Sequence, residues 1–422
     1  MKLRNLMYAT MIACAFASCS KDDVIPGTDP VAEGDASLEI KIESPALTKA
    51  TVVEGETDAT ISSLKVYVFN GNTLEKVGNV AGRMGATQSV KATGLTAGEK
   101  KVIILANATP SVQEGTTTYD QFLGLEKEFD NELDGSLSMN SQVFDVTIKA
   151  GEINYLGYGT TPEAGFPGNY LSEAGNVPVK LFRNVAKIVL KNITLTASTE
   201  KYKDAKLTVE EVFVLHASKA TKYVGAAAAA WGSTVATNQL YLNGVENTAY
   251  DNWKKSIREI AAATQITLKQ DTLENGYSAF SDVNHFNESF TNNVLEVGGD
   301  KTSTMAKVDS FYVYENTSSV PTLLVVKAKM EYGDVTGPKA ESRFYSVAIG
   351  KDGVEADKIT VGGVERSINN STLRNVQYNV DLKIAGPGWD TPFGPDPKDN
   401  TVLDVKVEVV AFGNVNQETT IE

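Results

Sequence analysis

The chain has 422 residues, an apolar content of 42% and a formal charge of −14 at pH 7. This length predicts two or three domains, or two large β domains, and the 34 glycines and 16 tyrosines favour strands and turns. Acidic residues outnumber basic ones by 53 to 39 and no basic stripe reverses the charge, so nucleic acid is not an expected partner.

Residues 1–18 have the features of a signal peptide. Lys2 and Arg4 precede a short apolar run that is too short to span a bilayer, and small residues stand directly before Cys19. This ending resembles a lipoprotein signal, in which Cys19 would be diacylated, would become the new N-terminus and would anchor the precursor to the outer membrane. The alternative is an ordinary secretory signal with an incidental cysteine. Cys14 and Cys19 are the two cysteines of the sequence, so the mature chain has no disulfide framework.

A polar tether, residues 19–35, leads to the first predicted strand. Apolar side chains alternate with polar ones there, and Leu38, Ile40 and Ile42 fall on one face. An exposed loop follows, in which a trypsin-like protease could cut between Lys49 and Ala50. Residues 36–50 are therefore predicted to be a removable strand with its cleavage site.

The body of the chain is predicted to be mainly β and to divide near a stretch rich in glycine and proline, residues 157–175. We assign residues 51–176 to an N-terminal domain and residues 177–400 to a C-terminal domain. Predicted N-terminal elements are strands at 61–70, 102–106 and 143–148 and a short helix with its loop within 119–137. Predicted C-terminal strands are 185–195, 207–215, 311–314, 322–330, 343–349 and 377–384, with loops and short helices in 217–310.

The last segment, residues 401–422, is predicted to contain a strand with the same alternating pattern as the first predicted strand. Its apolar face and its charged face alternate with period two. Two similar strands, one of which can be cut away, suggest a subunit that loses one strand and borrows the other. The apolar face of the predicted donor strand consists of Leu403, Val405, Val407, Val409 and Ala411.

The sequence offers little for an enzyme. It has two histidines, His216 and His285, and no Gly-x-Ser-x-Gly nucleophile motif. Ligands for zinc are lacking, and the aspartates near residue 400 do not have the spacing of a calcium loop. We therefore predict no catalytic residue, no metal site and no cofactor.

Four features in order resemble the Bacteroidetes fimbrillins, the subunits of type V pili, and especially the minor fimbrium kind. They are the signal ending at Cys19, the first strand followed by Lys49, the motif LFRNVAKI at 181–188 and the motif LRNVQYNV at 373–380. The resemblance implies two tandem β-sandwich domains and a surface fibre for adhesion and biofilm formation. Implied partners are copies of the same chain, tip and anchor subunits, and host or bacterial surface ligands.

Some positions depart from that family or leave alternatives open. Lys49 stands where the best-known members have arginine, and Phe412 stands where a tryptophan commonly follows the last strand. Asp271-Thr272-Leu273 resembles a Bacteroidetes O-glycosylation signal, with Thr272 as the acceptor. One alternative is a monomeric surface lipoprotein whose Trp231 and Trp253 stack on glycans, although both could equally fill a core. A fimbrial tip or anchor subunit is the other alternative.

Overall fold

The computed structural model describes most of the two predicted domains. The described residues are 34–43, 61–80, 87–128, 137–159, 167–174, 178–197, 199–218, 220–225, 285–286, 294–298, 311–317, 321–351, 354, 358–361, 364–368, 371–389 and 403–411, with the backbone alone at 43, 80, 87–88, 211, 285–286, 360–361, 364 and 403–411.

The first half of the chain forms one sheet of eleven strands with a main core on one face and a smaller buried cluster on the other. Its main path runs β10-β9-β1-β4-β3-β2-β5-β7-β12, while β11 pairs with β1 and β8 pairs with β5. The strands of this half are β1 (Ala36–Glu43), β2 (Leu64–Asn70), β3 (Thr73–Val80), β4 (Thr87–Leu95), β5 (Gly98–Ala106), β6 (Glu126–Glu128), β7 (Met139–Asn140), β8 (Phe144–Ile148), β9 (Ile153–Leu156), β10 (Asn169–Leu171), β11 (Val179–Lys180) and β12 (Phe182–Arg183).

Two strands in the middle of this sheet are covered on both faces. Val66 of β2 and Ile104 of β5 point into the main core. On the opposite face, Tyr67 and Ile103 pack with Phe122 of a short helix, α1 (Tyr119–Gly124). Because both faces are dry, β5 reads as a continuous apolar run instead of an alternating one.

The second half contains two larger sheets that share one core. A four-stranded sheet has the order β18-β13-β23-β24, and a five-stranded sheet has the order β16-β14-β19-β20 with β17 beside β14. The elements are β13 (Val185–Leu195), a 3-10 helix (Glu200–Tyr202), β14 (Lys206–Leu215), β15 (Ala220–Lys222), β16 (His285–Phe286), β17 (Val294–Glu296), β18 (Phe311–Tyr314), β19 (Leu323–Asp334), β20 (Gly337–Ala348), β21 (Lys358–Val361), β22 (Val364–Ser367), β23 (Val376–Ile384) and β24 (Leu403–Ala411).

Strands of the first sheet continue past the predicted boundary at residues 176 and 177, which stays a prediction. Strands β11 and β12 still pair within the first sheet, and β13 starts directly after Asn184. The apolar and basic residues of 177–183 are typical of a strand, but their pattern does not reveal which sheet they join. A second connection is the antiparallel pair of β6 with β15, which joins a strand of the first half to one of the second.

The two sequence motifs at 181–188 and 373–380 meet at this boundary. Asn375 accepts a hydrogen bond from the backbone of Arg183 at 3.1 Å and donates its own backbone N–H to Val185 at 2.8 Å. Asn375 has a φ of +56°, a left-handed conformation that asparagine adopts more readily than most residues. The tripeptide Arg-Asn-Val, which both motifs contain, thus joins two distant parts of the chain.

Arg374 lies at the centre of that contact and is completely buried. Its guanidinium donates to the side chains of Asn140, Asn184 and Thr221, at 3.3, 3.1 and 2.7 Å, and lies 3.6 Å from the carboxylate of Glu315. Arg366 donates to the same carboxylate. Residues of both halves thereby surround the buried guanidinium with hydrogen-bond acceptors and a carboxylate, as a charge removed from water requires.

The all-β prediction is confirmed, and α1 is the one α-helix of the described residues. That helix lies within the predicted region of 119–137 and ends at Gly124, after which β6 takes residues 126–128 into a pair with β15. None of the helices in the described ranges is long and apolar enough to cross a membrane. The first half holds one sheet where two packed sheets were expected, and the tandem-sandwich arrangement stays a prediction.

Candidate functional site

The removable strand predicted from the sequence, β1, occupies the interior of the first sheet. It is antiparallel to β4 on one side, and parallel to β9 and then to β11 on the other. The antiparallel ladder with β4 covers all of Ala36–Glu43. Loss of β1 would therefore open a slot between two established strands and expose the ladder groups of both.

The inward face of β1 belongs to the main core of the first half. Leu38, Ile40 and Ile42 are each 0% exposed, and they pack in one cluster with residues of the neighbouring strands. Ile40 stands in register with Val90 of β4 and with Leu156 of β9. The structure thus places the three predicted residues together, at the bottom of the slot that β1 fills.

The start of β1 is held by the turn that precedes β9. Asp35 accepts a hydrogen bond from the backbone of Gly151 at 3.0 Å, and the backbone of Ser37 donates to Glu152 at 3.2 Å. The side chain of Asn154, which is buried, donates to the carbonyl of Ser37 at 3.1 Å. These polar contacts fix where β1 begins relative to its neighbours.

A tyrosine cluster, Tyr155, Tyr158 and Tyr170, lies over the outward face of β1. Tyr158 donates a hydrogen bond of 2.5 Å to the carboxylate of Glu39, and the ammonium of Lys41 lies 5.5 Å from the centre of its ring. Tyr155 contacts the rings of the other two tyrosines, with centroids 5.0 and 5.1 Å apart. Both charged residues of β1 in this part of the strand therefore have a specific partner outside β1.

The phenol of Tyr158 is held in its neutral form by these surroundings. Burial is the main cause that raises its pKa, followed by the hydrogen bond to Glu39 and the negative charge of that carboxylate. A neutral phenol donates a hydrogen bond to a carboxylate, whereas a phenolate would repel the carboxylate. The contact of Tyr158 with β1 therefore persists throughout the neutral and mildly alkaline range.

Gly157 lets the chain after β9 come close to β1. Its φ is +81°, and a Cβ atom at this position would lie 2.7 Å from the carbonyl oxygen of Lys41. An L-residue would meet both the strained backbone and this contact. The glycine thus brings Tyr158 back over the strand that it holds.

The predicted donor strand is present as β24 and pairs with β23 of the same chain. The ladder is antiparallel and continuous, from Val376 opposite Ala411 to Ile384 opposite Leu403. Since β24 is the last strand in the order of its sheet, its other side has no strand partner among the described residues. In the isolated chain it is an edge strand, and donation to a neighbour requires that it detach from β23.

Several predicted site residues fall outside the described ranges: Cys19, Lys49, Ala50, Thr272, Trp231 and Trp253. The structure does bring together residues that sequence reasoning missed, chiefly Tyr158, Tyr155 and Gly157. The available signal was a tyrosine on each side of a glycine near the end of the first domain. His216, which the sequence predicts to be structural, is buried, and its Nδ1 lies 3.2 Å from the carbonyl oxygen of Pro321.

The chain resembles known proteins in sequence. The model of the family described as major fimbrial subunit protein (FimA) matches residues 36–183, the span from β1 to β12. A major fimbrium subunit FimA type-2 of Porphyromonas gingivalis is 24% identical, with 100% of each chain covered. The chain is thus similar to fimbrial subunits of Bacteroidetes over its whole length.

Solved structures agree with the fold. A putative cell adhesion protein from Parabacteroides distasonis has a TM-score of 0.61 at 24% identity, over 90% of this chain and 99% of that one. A fimbrilin from P. gingivalis has a TM-score of 0.56 at 21% identity, over 91% and 99%.

This similarity supports a general role as a fimbrial subunit. Fimbrillins are structural subunits of cell-surface fimbriae, which confirms the prediction that the chain is not an enzyme. A fimbrial subunit has other fimbrial subunits as partners. The related curated subunit is of the major fimbrium, whereas the sequence motifs suggested the minor one.

Proposed function

We propose that this chain is exported as a lipoprotein through Cys19, cut between Lys49 and Ala50 and polymerised by strand exchange. In this mechanism β1 leaves the first half, and β24 of a neighbouring copy enters the slot. The fibre would support adhesion and biofilm formation at the cell surface. This proposal rests on the observation that β1 is an interior strand with a buried inward face, yet is the first strand in chain order among the described residues.

The energetics favour refilling of the slot. Removal of β1 exposes the core around Leu38, Ile40 and Ile42 to water, and each such side chain re-buried is worth about 1.5–3 kcal/mol. Three of them give roughly 5–9 kcal/mol before the ordering costs of association. The strands β4 and β9 also regain a ladder, at about 1 kcal/mol for each hydrogen bond.

The terminal strand suits the role of the donor. Its apolar alternation matches that of β1, and it already lies at a sheet edge, where it breaks a ladder with one neighbour instead of two. Addition of a strand to an open sheet is a common mode of binding. Because the slot and the donor lie in opposite halves of the chain, repetition of the contact is head-to-tail and generates a filament.

Two substitutions in β24 test the exchange. Val407→Asp places a charge on the apolar face, so we expect folded, soluble subunits that form no fibres. Glu408→Ala leaves the apolar face intact and should still form fibres, with at most a modest loss of yield from one missing charge. Surface extracts run unboiled on a gel report polymer as a ladder, and circular dichroism of the purified variant reports folding. If Val407→Asp unfolds the subunit, the strand belongs to its own core and the mechanism is wrong.

A role as the tip or anchor subunit of the same fimbria is the second candidate. A putative fimbrium tip subunit of P. distasonis is 28% identical over 59% of this chain. An anchor subunit would retain its lipid and an uncut Lys49, whereas a stalk subunit would not. Electron microscopy with an antibody to this chain would show labelling along the whole fibre for a stalk and at one end for a tip or an anchor.

A further inference from the structure

The sequences of β1 and β24 share more than the alternation of apolar residues. β1 contains Leu38–Glu43 with the sequence LEIKIE, and β24 contains Leu403–Glu408 with the sequence LDVKVE. The two segments share leucine, lysine and the final glutamate, and the other positions exchange one acid for another or isoleucine for valine. A shared apolar face alone would not require the same order of charges on the opposite face.

That order of charges corresponds to specific surroundings of the slot. Glu39 accepts the hydrogen bond from Tyr158 and lies in register with Lys91 of β4. Two residues further on, Lys41 lies over the ring of Tyr158. Glu43 stands in register with Lys180 of β11. The slot thus presents Lys91 to the place of Glu39, the ring of Tyr158 to the place of Lys41 and Lys180 to the place of Glu43.

If the donor strand runs in the same direction as β1, its register can shift only by an even number of residues. One such register puts an acid, a lysine and an acid at the places of Glu39, Lys41 and Glu43. An odd shift would turn the charged face of the donor into the core. A shift that brings Lys406 to the place of Glu39 would set it opposite Lys91. A shift the other way would set Lys406 at the place of Glu43, opposite Lys180. Like charges directly across a ladder are destabilising.

We propose that the tyrosine cluster and the two lysines set the register of the strand exchange, with Leu403 of the neighbouring copy at the place of Leu38. The donor runs in the same direction as β1. Asp404 then accepts the hydrogen bond of Tyr158, and Lys406 lies over its ring. This inference rests on the proposed function and adds to it a specificity site on the outward face of the slot.

The direction follows from the order of residues. In the reverse direction Lys406 would still reach the place of Lys41, but Val409 would replace Leu38 and Glu408 would replace Glu39. The leucine at the start of both segments and the glutamate at the end of both match only in the same direction. The two directions differ in which acid faces Lys91, and this difference can be measured.

Cysteine pairs measure it directly, because the sequence has no cysteine after Cys19. Lys91→Cys is combined in turn with Asp404→Cys, Lys406→Cys and Glu408→Cys in the full-length chain, and surface fibres are oxidised. Side chains directly opposite in a ladder are close enough for a disulfide. We expect a covalent ladder on denaturing gels from the Asp404→Cys pair and none from the other two.

A matched control is the pair Glu39→Cys with Lys91→Cys, which should form an internal disulfide in the uncut precursor and so proves that position 91 reacts. A ladder from the Lys406→Cys or Glu408→Cys pair would overturn the register or the direction but leave strand exchange standing. Fibres that assemble with no ladder from any pair would overturn the proposed exchange itself.

A charge exchange provides an independent readout. Asp404→Lys should lower the yield of fibres at least tenfold, since it sets a lysine opposite Lys91 and removes the acceptor of Tyr158. Adding Lys91→Glu to Asp404→Lys should restore most of that yield. Rescue of Glu408→Lys, instead of Asp404→Lys, by Lys91→Glu would indicate the reverse direction. An undiminished yield from Asp404→Lys alone would contradict the role assigned to the outward face.

Discussion

The guanidinium of Arg374 donates to the side-chain oxygen of Asn184 at 3.1 Å, and this contact joins the sequence motif before β23 to the one residue between β12 and β13. The two halves of the chain therefore meet without a linker, at a buried guanidinium that donates hydrogen bonds to residues of both halves.

Arg374→Met should lower the free energy of unfolding by about 3–5 kcal/mol, because the buried carboxylate of Glu315 loses one of its two cationic partners. Urea unfolding followed by fluorescence measures the change. Lys358→Met is the control: its pair with Glu365 is 61% and 62% exposed, so we expect a change below about 1 kcal/mol. Equal effects of the two variants would show that the buried contact does not stabilise the boundary.

Alkaline pH should destabilise the second half through Tyr345. Burial raises the pKa of this phenol, whose hydroxyl donates to the carbonyl of Gly386 at 3.1 Å. Above a pH of about 10 the unfolded chain loses the tyrosine proton while the folded chain keeps it, so stability falls as the pH rises.

Tyr345→Phe should reduce that fall by about 1.4 kcal/mol per pH unit, measured from urea midpoints between a pH of about 10 and a pH of about 11.5. At neutral pH the same variant should be less stable than the parent by about 1 kcal/mol, since it lacks one hydrogen bond. An unchanged slope above pH 10 would show that this phenol ionises freely in the folded chain.

Gly157→Ala should weaken the hold on β1. The new methyl group would meet the carbonyl of Lys41 and would require a strained backbone, at a cost of about 1–3 kcal/mol. Gly159→Ala is a matched control, since its φ of +94° is strained but no atom lies within 4 Å of the added Cβ. Limited proteolysis of the uncut precursor should remove β1 faster in Gly157→Ala than in Gly159→Ala. Equal rates would show that the close approach to Lys41 is unimportant.

Maturation should begin the surface form of the protein at Ala50. N-terminal sequencing of extracted fibres tests this, and Lys49→Gln should leave uncut precursor and no fibres because β1 stays in its slot. Lys21→Gln, in the tether, should have no effect. A mature form that still begins at Cys19 would identify an anchor subunit.

Lipidation should depend on the second cysteine of the signal. Cys19→Ala should leave unanchored precursor and abolish surface fibres, since two or three acyl chains are needed to hold a protein at a membrane. Cys14→Ala changes the apolar run of the signal and should have little effect. Metabolic labelling with a radioactive fatty acid compares the two variants. Normal fibres from Cys19→Ala would remove the lipid from the pathway.

Sequence patterns located strands well where one face or both are clearly apolar. β1, β13 and β18 have the predicted bounds, because alternation or a long β-branched run is strong there. β3 and β4 were missed: they carry few large apolar residues, and their place is set by the hairpin with β2 and by the ladder to β1. Tertiary pairing decides such strands, and local pattern does not.

The candidate site was predictable in part for a similar reason. The inward residues of β1 follow from period two, and the structure places them as expected. Tyr158 could not be found, since it follows β9 and reaches Glu39 across 119 positions of the chain. Which distant strand neighbours β1 is a property of the sheet order, and nothing local to either segment encodes it.

In the proposed mechanism the position of β1 would also have a kinetic consequence for secretion. While β1 is joined to its own chain, it would compete for the slot as an internal ligand, at an effective concentration on the order of millimolar. Subunits more dilute than this could not displace it with a foreign strand. Cleavage of a single peptide bond would turn the internal ligand into a fragment that diffuses away, so the slot would become available only where the protease acts.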